Sequence, residues 1–206
     1  MGKVCLLFMF YSLAIAMARP YSNINNVISM TSSYPGAEQP NPIEEWFQTL
    51  DQAEQKVIKL HFYVQDVVSG EKSTVWKVAE SKISSSSPSS FGLVYMADNL
   101  LTAGPEASSE IVGRAQGIVG FSDLHDEALY MDVSIVFTEG KYKGSTISIL
   151  GRNPLYEKER ELPIVGGSGV FRMARGVAVT NTVASFDESK SYEVLEYILY
   201  ISYFEL

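Results

Sequence analysis

An aspartate at the end of an apolar strand face is the first residue that could do acid–base chemistry. In the run that starts near residue 57, every second residue from Leu60 to Val64 is apolar, and Asp66 continues that face. If its carboxyl group is enclosed there, lost solvation raises the pKa and suits Asp66 to proton transfer near neutral pH. The sequence equally allows Asp66 to begin the turn at Ser69-Gly70 and to cap backbone groups. These two interpretations stay open.

An arginine offers the complementary charge. Arg160 has the same strand parity as Leu162 and Ile164, so its guanidinium group could enter the same interior. A buried arginine needs an acidic partner or an anionic ligand. Arg160 also belongs to the charged run 157–161, and such runs are usually solvated. From this run alone, a surface position is favoured.

Composition excludes several other kinds of chemistry. The 206 residues include 24 acidic and 16 basic side chains, and the formal charge of -8 has the wrong sign for binding nucleic-acid phosphates. One cysteine and two histidines are too few for a Cys/His zinc site, an iron–sulfur site or a disulfide framework. No serine lies in a G-x-S-x-G elbow, which argues against a hydrolase triad. We therefore predict no metal and no cofactor.

Short apolar runs separated by Gly, Ser, Pro and Asp predict one all-β domain from residue 57 to 206. The predicted strands are 57–68, 73–83, 91–98, 111–121, 128–138, 144–151, 160–165, 169–181 and 193–204. Eight or nine strands at this spacing are typical of a barrel or a sandwich. The run 128–138 alternates as a half-buried strand does, whereas 193–204 is apolar on both faces. The latter is expected to be covered inside by the core and outside by another subunit.

The N-terminal residues 1–18 fit a secretory signal peptide. Lys3 precedes the apolar run Val4 to Ala16, and an A-x-A site ends at Ala18. The apolar run is shorter than the roughly 20 residues that a membrane-spanning helix needs, so secretion is favoured over an anchor. Residues 19–56 are rich in Asn, Ser, Pro and Gly and are predicted to form a mobile leader, with a short helix around 44–55.

Six spaced segments then carry a family resemblance. They are LHFYVQDV at 60–67, VGRAQG at 112–117, the segment 137–146, GRNP at 151–154, RELPIVGGSG at 160–169 and FRMARG at 171–176. Over about residues 57 to 204 the chain resembles the plant dirigent proteins. The resemblance implies an eight-stranded antiparallel β-barrel, also described as allene-oxide-cyclase-like. It further implies secretion to the apoplast and association as a homo-oligomer, a dimer or a trimer.

The family likeness also implies a function. In that family a separate laccase or peroxidase oxidises coniferyl alcohol to phenoxy radicals, and the dirigent protein orients their coupling so that one enantiomer of a lignan results. By position, Asp66, Arg160 and Asp98 match family residues and are the implied catalytic groups, with Asp98 in the third strand. Such a role needs phenolic small molecules and an extracellular oxidase as partners, and neither nucleic acid nor membrane.

Three positions depart from the pinoresinol-forming members. Asn153 stands where those members have an aspartate, and Val119 and Phe121 lie where they have pocket tyrosines. We expect these three residues to bind substrate. The GRNP motif is similar to a second branch that includes pterocarpan synthases, which dehydrate isoflavanols through a quinone methide. Three hypotheses follow: an auxiliary that steers radical coupling, a dehydratase, and a cell-wall scaffold for phenolics without turnover.

Overall fold

Residues 42–185 and 191–205 are described by a computed structural model of the chain. The chain divides into two compact units, Met1–Ala53 and Glu54–Leu206. The predicted signal peptide, and the predicted leader up to residue 41, lie outside the described residues. The first unit contributes helix α1, Pro42–Gln48, and a 3-10 turn, Leu50–Gln52.

Helix α1 is shorter than the sequence predicts. Pro42 occupies its first position, where a missing N–H costs nothing, and acidic residues follow in the first turn. Residues 54 and 55, which were predicted to be helical, belong to the first strand because their backbone pairs with the end of the last strand. Within the described residues, no helix is long and apolar enough to span a bilayer.

Nine strands make up the second unit. They are β1 (Glu54–Val67), β2 (Val75–Ala79), β3 (Val94–Thr102), β4 (Ile111–Phe121), β5 (Ala128–Phe137), β6 (Thr146–Pro154), β7 (Arg160–Ser168), β8 (Arg175–Ser185) and β9 (Tyr192–Glu205). All pairings are antiparallel, in the order β1-β9-β8-β7-β6-β5-β4-β3-β2. The predicted all-β class is confirmed.

A further pairing closes the sheet into a barrel. Residues 63–65 of β1 pair with residues 100–102 of β3, so that β1 and β3 to β9 form a closed ring of eight strands. The short strand β2 pairs with residues 94–97 of β3, beyond the point where β1 leaves that edge. The predicted eight-stranded antiparallel barrel is confirmed, with β2 as a ninth strand outside the ring.

Several strand limits differ from the sequence predictions. Strand β8 begins at Arg175 instead of residue 169, because Gly169–Phe171 forms a 3-10 turn that leaves β7. Gly169 has φ +63°, a left-handed conformation that glycine adopts without a steric penalty. Strand β3 runs to Thr102, four residues further than predicted, because its last residues pair with β1 and β4.

Alternate residues of each strand form the interior of the barrel. In β5 the residues Met131, Val133, Ile135 and Phe137 are buried while Tyr130 and Asp132 are exposed, as the alternation predicts. In β9 the inward residues from Tyr197 to Tyr203 are buried, and Tyr200 is exposed on the outer face. The core also contains Phe62, Val64, Leu101, Ile147, Ile149, Leu162, Ile164 and Phe171.

Candidate functional site

One end of the barrel interior is hollow. Side chains near the end of β1, β4 and β6 and near the start of β3, β5, β7 and β9 surround a cavity of about 240 Å³. An apolar cavity of ~150 Å³ already accommodates benzene, so this one has room for a substituted aromatic ring. The polar or aromatic lining residues are Asp66, Tyr95, Asn99, Phe121, Asn153, Arg160, Glu193 and Tyr197. The remaining lining is mostly aliphatic, which suits an aromatic ligand with few polar groups.

Asp66 lies on the inner face of β1, where strand parity places it. Burial raises the pKa of its carboxyl group to about 6, and the negative charge of Glu193 acts in the same direction. A hydrogen bond of 2.9 Å from Asn99 Nδ2 to Asp66 Oδ1 opposes that rise. Asp66 therefore changes protonation state near neutral pH while it faces an apolar chamber. That is the property a general acid or base needs.

Arg160 begins β7 and is also turned inward. Arg160 is 3% exposed, so it lies inside the barrel and not on its surface. Arg160 Nη2 donates to Thr182 Oγ1 at 3.1 Å, and Nε donates to the Thr180 carbonyl at 3.4 Å. Both acceptors are neutral, and no carboxylate of the described chain forms an ion pair with Arg160. A buried cation that lacks an anionic partner is a site for a negatively charged ligand oxygen.

The three predicted substrate-binding residues also line the cavity. Val119 and Phe121 lie on the inner face of β4, and the ring of Phe121 meets that of Tyr95 edge to face at 6.3 Å. Asn153 is 3% exposed, and its Nδ2 contacts Met131 Sδ at 3.0 Å. None of the described residues forms a hydrogen bond with Asn153 Oδ1. A buried polar atom of this kind is able to bind a ligand hydroxyl without losing a protein contact.

Asp98 does not belong to this group, and here the prediction needs correction. Tyr95, Ala97 and Asn99 of β3 line the cavity, so Asp98, which lies between the last two, points out of the barrel. Its side chain is 53% exposed and pairs with Arg114 on the neighbouring strand β4. Gln116 Nε2 also donates to Asp98 at 3.1 Å. Asp98 therefore has no access to a molecule in the cavity.

Sequence reasoning missed the polar residues Asn99, Glu193 and Tyr197. Strand parity could have found Tyr197, because it shares a face with the buried Leu199 and Ile201. Burial raises the pKa of Tyr197, whose hydroxyl is also influenced by the charges of both Arg160 and Asp66. Glu193 lies directly opposite Asp66 in the pairing of β1 with β9, so the two carboxylates share the same face.

The cavity thus contains an acid of raised pKa, an unpaired cation and an amide acceptor on apolar walls. Among the described residues, no group of three or more His, Cys, Asp or Glu side chains is placed to hold a metal ion. The arrangement is suited to binding an aromatic molecule with hydroxyl groups and to moving a proton to or from it.

Comparison with known proteins identifies the family to which this chain belongs. The sequence profile described as Dirigent-like protein matches residues 57–202. The chain belongs to the dirigent family. Dirigent protein 21 of Arabidopsis thaliana is 46% identical over 146 residues, which cover 71% of this chain and 77% of that protein. The proposed resemblance is thereby confirmed, and the matched region contains all the residues that line the cavity.

Pterocarpan synthases are also among the relatives of this dirigent chain. Pterocarpan synthase 1 of Glycyrrhiza echinata is 40% identical over 152 residues, which cover 73% of this chain and 80% of that enzyme. The solved structure of a pterocarpan synthase dirigent protein superposes with a TM-score of 0.66 at 38% identity. The superposition covers 74% of this chain and 88% of the solved chain. The barrel is therefore the fold of a dirigent protein.

Proposed function

We propose that this dirigent protein binds oxidised phenols in its cavity and sets the stereochemistry with which they form a new bond. The observation that carries the proposal is that Asp66 and Arg160 line the same apolar chamber. Burial raises the pKa of Asp66, and Arg160 is buried without a carboxylate partner among the described residues. The lining supplies shape and proton transfer. The oxidation of the phenol comes from a separate laccase or peroxidase.

The coupling step needs no electrons from the protein. Two phenoxy radicals, each formed by loss of one electron and one proton from a monolignol such as coniferyl alcohol, combine to make one carbon–carbon bond. The product contains two quinone methides. Each closes when a hydroxyl oxygen adds to the methide carbon, the hydroxyl loses its proton, and a proton reaches the quinone carbonyl oxygen. A chamber of about 240 Å³ encloses one such phenol, so the second radical reaches only its open face.

Asp66 and Arg160 have different parts in this scheme. The carboxyl group of Asp66 exchanges a proton with the substrate hydroxyl or carbonyl, because its pKa of about 6 lets both protonation states exist. The guanidinium group of Arg160 stabilises negative charge on the phenolic oxygen in a site of low polarity. Asn153 Oδ1, which has no hydrogen-bond partner in the described part of the chain, accepts a hydrogen bond from a substrate hydroxyl and fixes which face is presented.

A dehydratase is the second candidate, and the pterocarpan synthase relatives favour it. In that reaction Asp66 would give its proton to the leaving hydroxyl of an isoflavanol. The carbon–oxygen bond breaks, water leaves, and the phenol loses its proton to give a quinone methide near Arg160. A second phenolic hydroxyl then adds to the methide carbon and loses its proton, and a proton returns to the quinone carbonyl oxygen, which restores the phenol. The cavity volume fits this reaction too, because only one molecule has to enter.

Chiral chromatography of the products separates the candidates. The purified protein is incubated with coniferyl alcohol and a laccase, and separately with an isoflavanol and no oxidant. Enantiomeric excess in the first assay alone supports the coupling auxiliary, and water loss in the second supports the dehydratase. Racemic product in the first and no reaction in the second would contradict both and leave the scaffold. Arg160→Leu should lose the effect, whereas the exposed Arg175→Leu is the matched control.

The proposal extends to location and assembly. The protein is secreted to the extracellular space, the apoplast, where an oxidase supplies its radicals, and it works as a homo-oligomer. Support for assembly comes from Trp76, Met96 and Ile118, which are neighbours in register on the outer face and are all exposed. Sedimentation velocity tests this, with a dimer or trimer as the expected result and a monomer at micromolar concentration as the contrary one.

A further inference from the structure

A buried amide contacts the carboxyl group that the proposed chemistry needs. Asn99 lies on the inner face of β3, is 7% exposed and donates from Nδ2 to Asp66 Oδ1 at 2.9 Å. An amide group is able to present either its donor or its acceptor to a neighbour, and the two orientations have opposite effects on a carboxyl group. The orientation of Asn99 therefore decides how Asp66 holds its proton.

Thr74 determines that orientation. Its hydroxyl group accepts a hydrogen bond from the Val67 backbone N–H at 3.2 Å and donates to Asn99 Oδ1 at 2.5 Å. The Val67 carbonyl, a second acceptor for the same hydroxyl proton, is farther away at 3.4 Å. Because Oδ1 of Asn99 receives the threonine proton, its Nδ2 faces Asp66. The backbone of β1 thus fixes the amide through one hydroxyl group.

We infer that Asn99 is a positioning residue for Asp66, held as a hydrogen-bond donor by Thr74, and that it confines the exchangeable proton of Asp66 to Oδ2. Oδ1 already accepts the amide N–H, so a proton on Oδ1 would face the donor and be repelled. The acid form therefore carries its proton on the other oxygen. This inference rests on the proposed function in one respect only, namely that a substrate exchanges that proton with Asp66.

Other charged and titratable groups also act on Asp66. Those that share its cavity are Glu193 and Tyr197 of β9, Arg160 of β7 and Tyr95 of β3. Burial and the charge of Glu193 raise the pKa of Asp66, and the amide of Asn99 lowers it. Removing the amide donor while the other groups stay in place should therefore raise the pKa further.

The test measures the pKa of Asp66 directly. The carboxyl carbon of Asp66 is followed by NMR during a pH titration of the full chain without substrate. Asn99→Leu, which is similar in volume and cannot donate, should raise the midpoint by about one unit. Thr74→Val should raise it less, because the amide is then free to rotate. Thr74→Ser retains the hydroxyl group and should return the midpoint to that of the unmodified protein.

These outcomes separate the inference from a merely structural role and from the proposed function. If Asn99→Leu and Thr74→Val fold and leave the midpoint unchanged, the inference is wrong. A shift in Thr74→Val that Thr74→Ser reproduces would also overturn it, because the hydroxyl would then be irrelevant. The titration needs no substrate, so failure of every product assay would remove the proposed function and leave the positioning of Asp66 intact. The pH profile of product formation is a second readout for Asn99→Leu. It should shift to higher pH, as the Asp66 midpoint does.

Discussion

At one end of the barrel aromatic rings fill the interior, whereas at the other end the interior is open and carries polar groups. The filled end lies where β5 and β9 finish. There Phe171 lies 5.6 Å from Phe137, 5.0 Å from Tyr142 and 5.5 Å from Tyr203, measured between ring centroids. These tilted and edge-on contacts are the geometries that aromatic pairs prefer.

The open end is built by the same strands from smaller or polar residues. Asp66 is the last residue but one of β1 and Arg160 begins β7, and the walls between them are largely aliphatic. A buried acid and a buried cation each cost free energy, which the packed end has to offset. One closed sheet thus combines a stabilising end with a reactive one, and substitutions at the two ends should have different consequences.

Truncating the central aromatic ring should have the largest effect. We expect Phe171→Ala to lower the free energy of unfolding by about 3–5 kcal/mol, because it replaces a fully buried ring by a cavity. Phe121→Ala is the matched substitution at the open end, where the ring already borders a cavity, and it should cost about 1–2 kcal/mol. Denaturant unfolding measures both values. Equal costs would show that the two ends do not differ in their contribution to stability.

The next prediction concerns chemistry at the open end. Asp66→Asn retains the shape of the side chain but cannot transfer a proton, so product formation or selectivity should fall by about 100-fold or more. If the acid form acts, activity of the unmodified protein is present below pH 6 and declines as the pH rises through about 6. If the carboxylate acts, the profile is reversed. Initial rates between pH 4 and 8 decide between these, and a flat profile would exclude Asp66.

The same carboxyl group should also make stability depend on pH. The pKa of Asp66 rises from an ordinary value of 3.8 to about 6 on folding, so the folded state binds the proton more tightly. The stability that Asp66 contributes by binding this proton is fully present below pH 3.8 and is lost as the pH rises through about 6. Asp66→Asn does not titrate, so its stability relative to the unmodified protein should increase by about 1–3 kcal/mol between pH 4 and pH 8.

The lower part of that range allows for solvent, which reaches Asp66 through the cavity. Unfolding of both proteins at the two pH values gives the difference, and other titrating groups cancel in it. A difference that stays constant with pH would mean that folding does not shift the pKa of Asp66.

Strand parity explains why some of the open end could be predicted from sequence. Asp66 and Arg160 each continue an alternating apolar row, and in both cases the inner face is the one that the row indicates. The all-β class followed from the same alternation and the turn residues between the runs, whereas the eight-stranded barrel was implied by the resemblance to the dirigent proteins. The raised pKa of Asp66 could be expected because an enclosed carboxyl group loses solvation.

The placement of Asp98 came from the family resemblance, and strand parity could not have corrected it, for a physical reason. Both faces of that strand are apolar, with Tyr95 next to Met96 and Leu100 next to Leu101, so the sequence does not show which face is inside. The choice depends on pairing with β1, β2 and β4, which are distant in sequence. Glu193 has the same parity as Tyr197, but its position opposite Asp66 could not be predicted because it is a property of strand register.

The smallest expected effect is that of a substitution at Asp98, which was wrongly predicted to be a catalytic group. Asp98 and Asn99 are adjacent in one strand, but one faces solvent and the other faces Asp66. Asp98→Asn removes only an exposed ion pair with Arg114, and such pairs contribute about 0–1 kcal/mol. We expect unchanged product selectivity and an unchanged Asp66 midpoint, measured beside Asn99→Leu. A loss of selectivity in Asp98→Asn larger than that in Asn99→Leu would mean that β3 turns its other face to the substrate, and the assignment of inside and outside at the open end would have to be reversed.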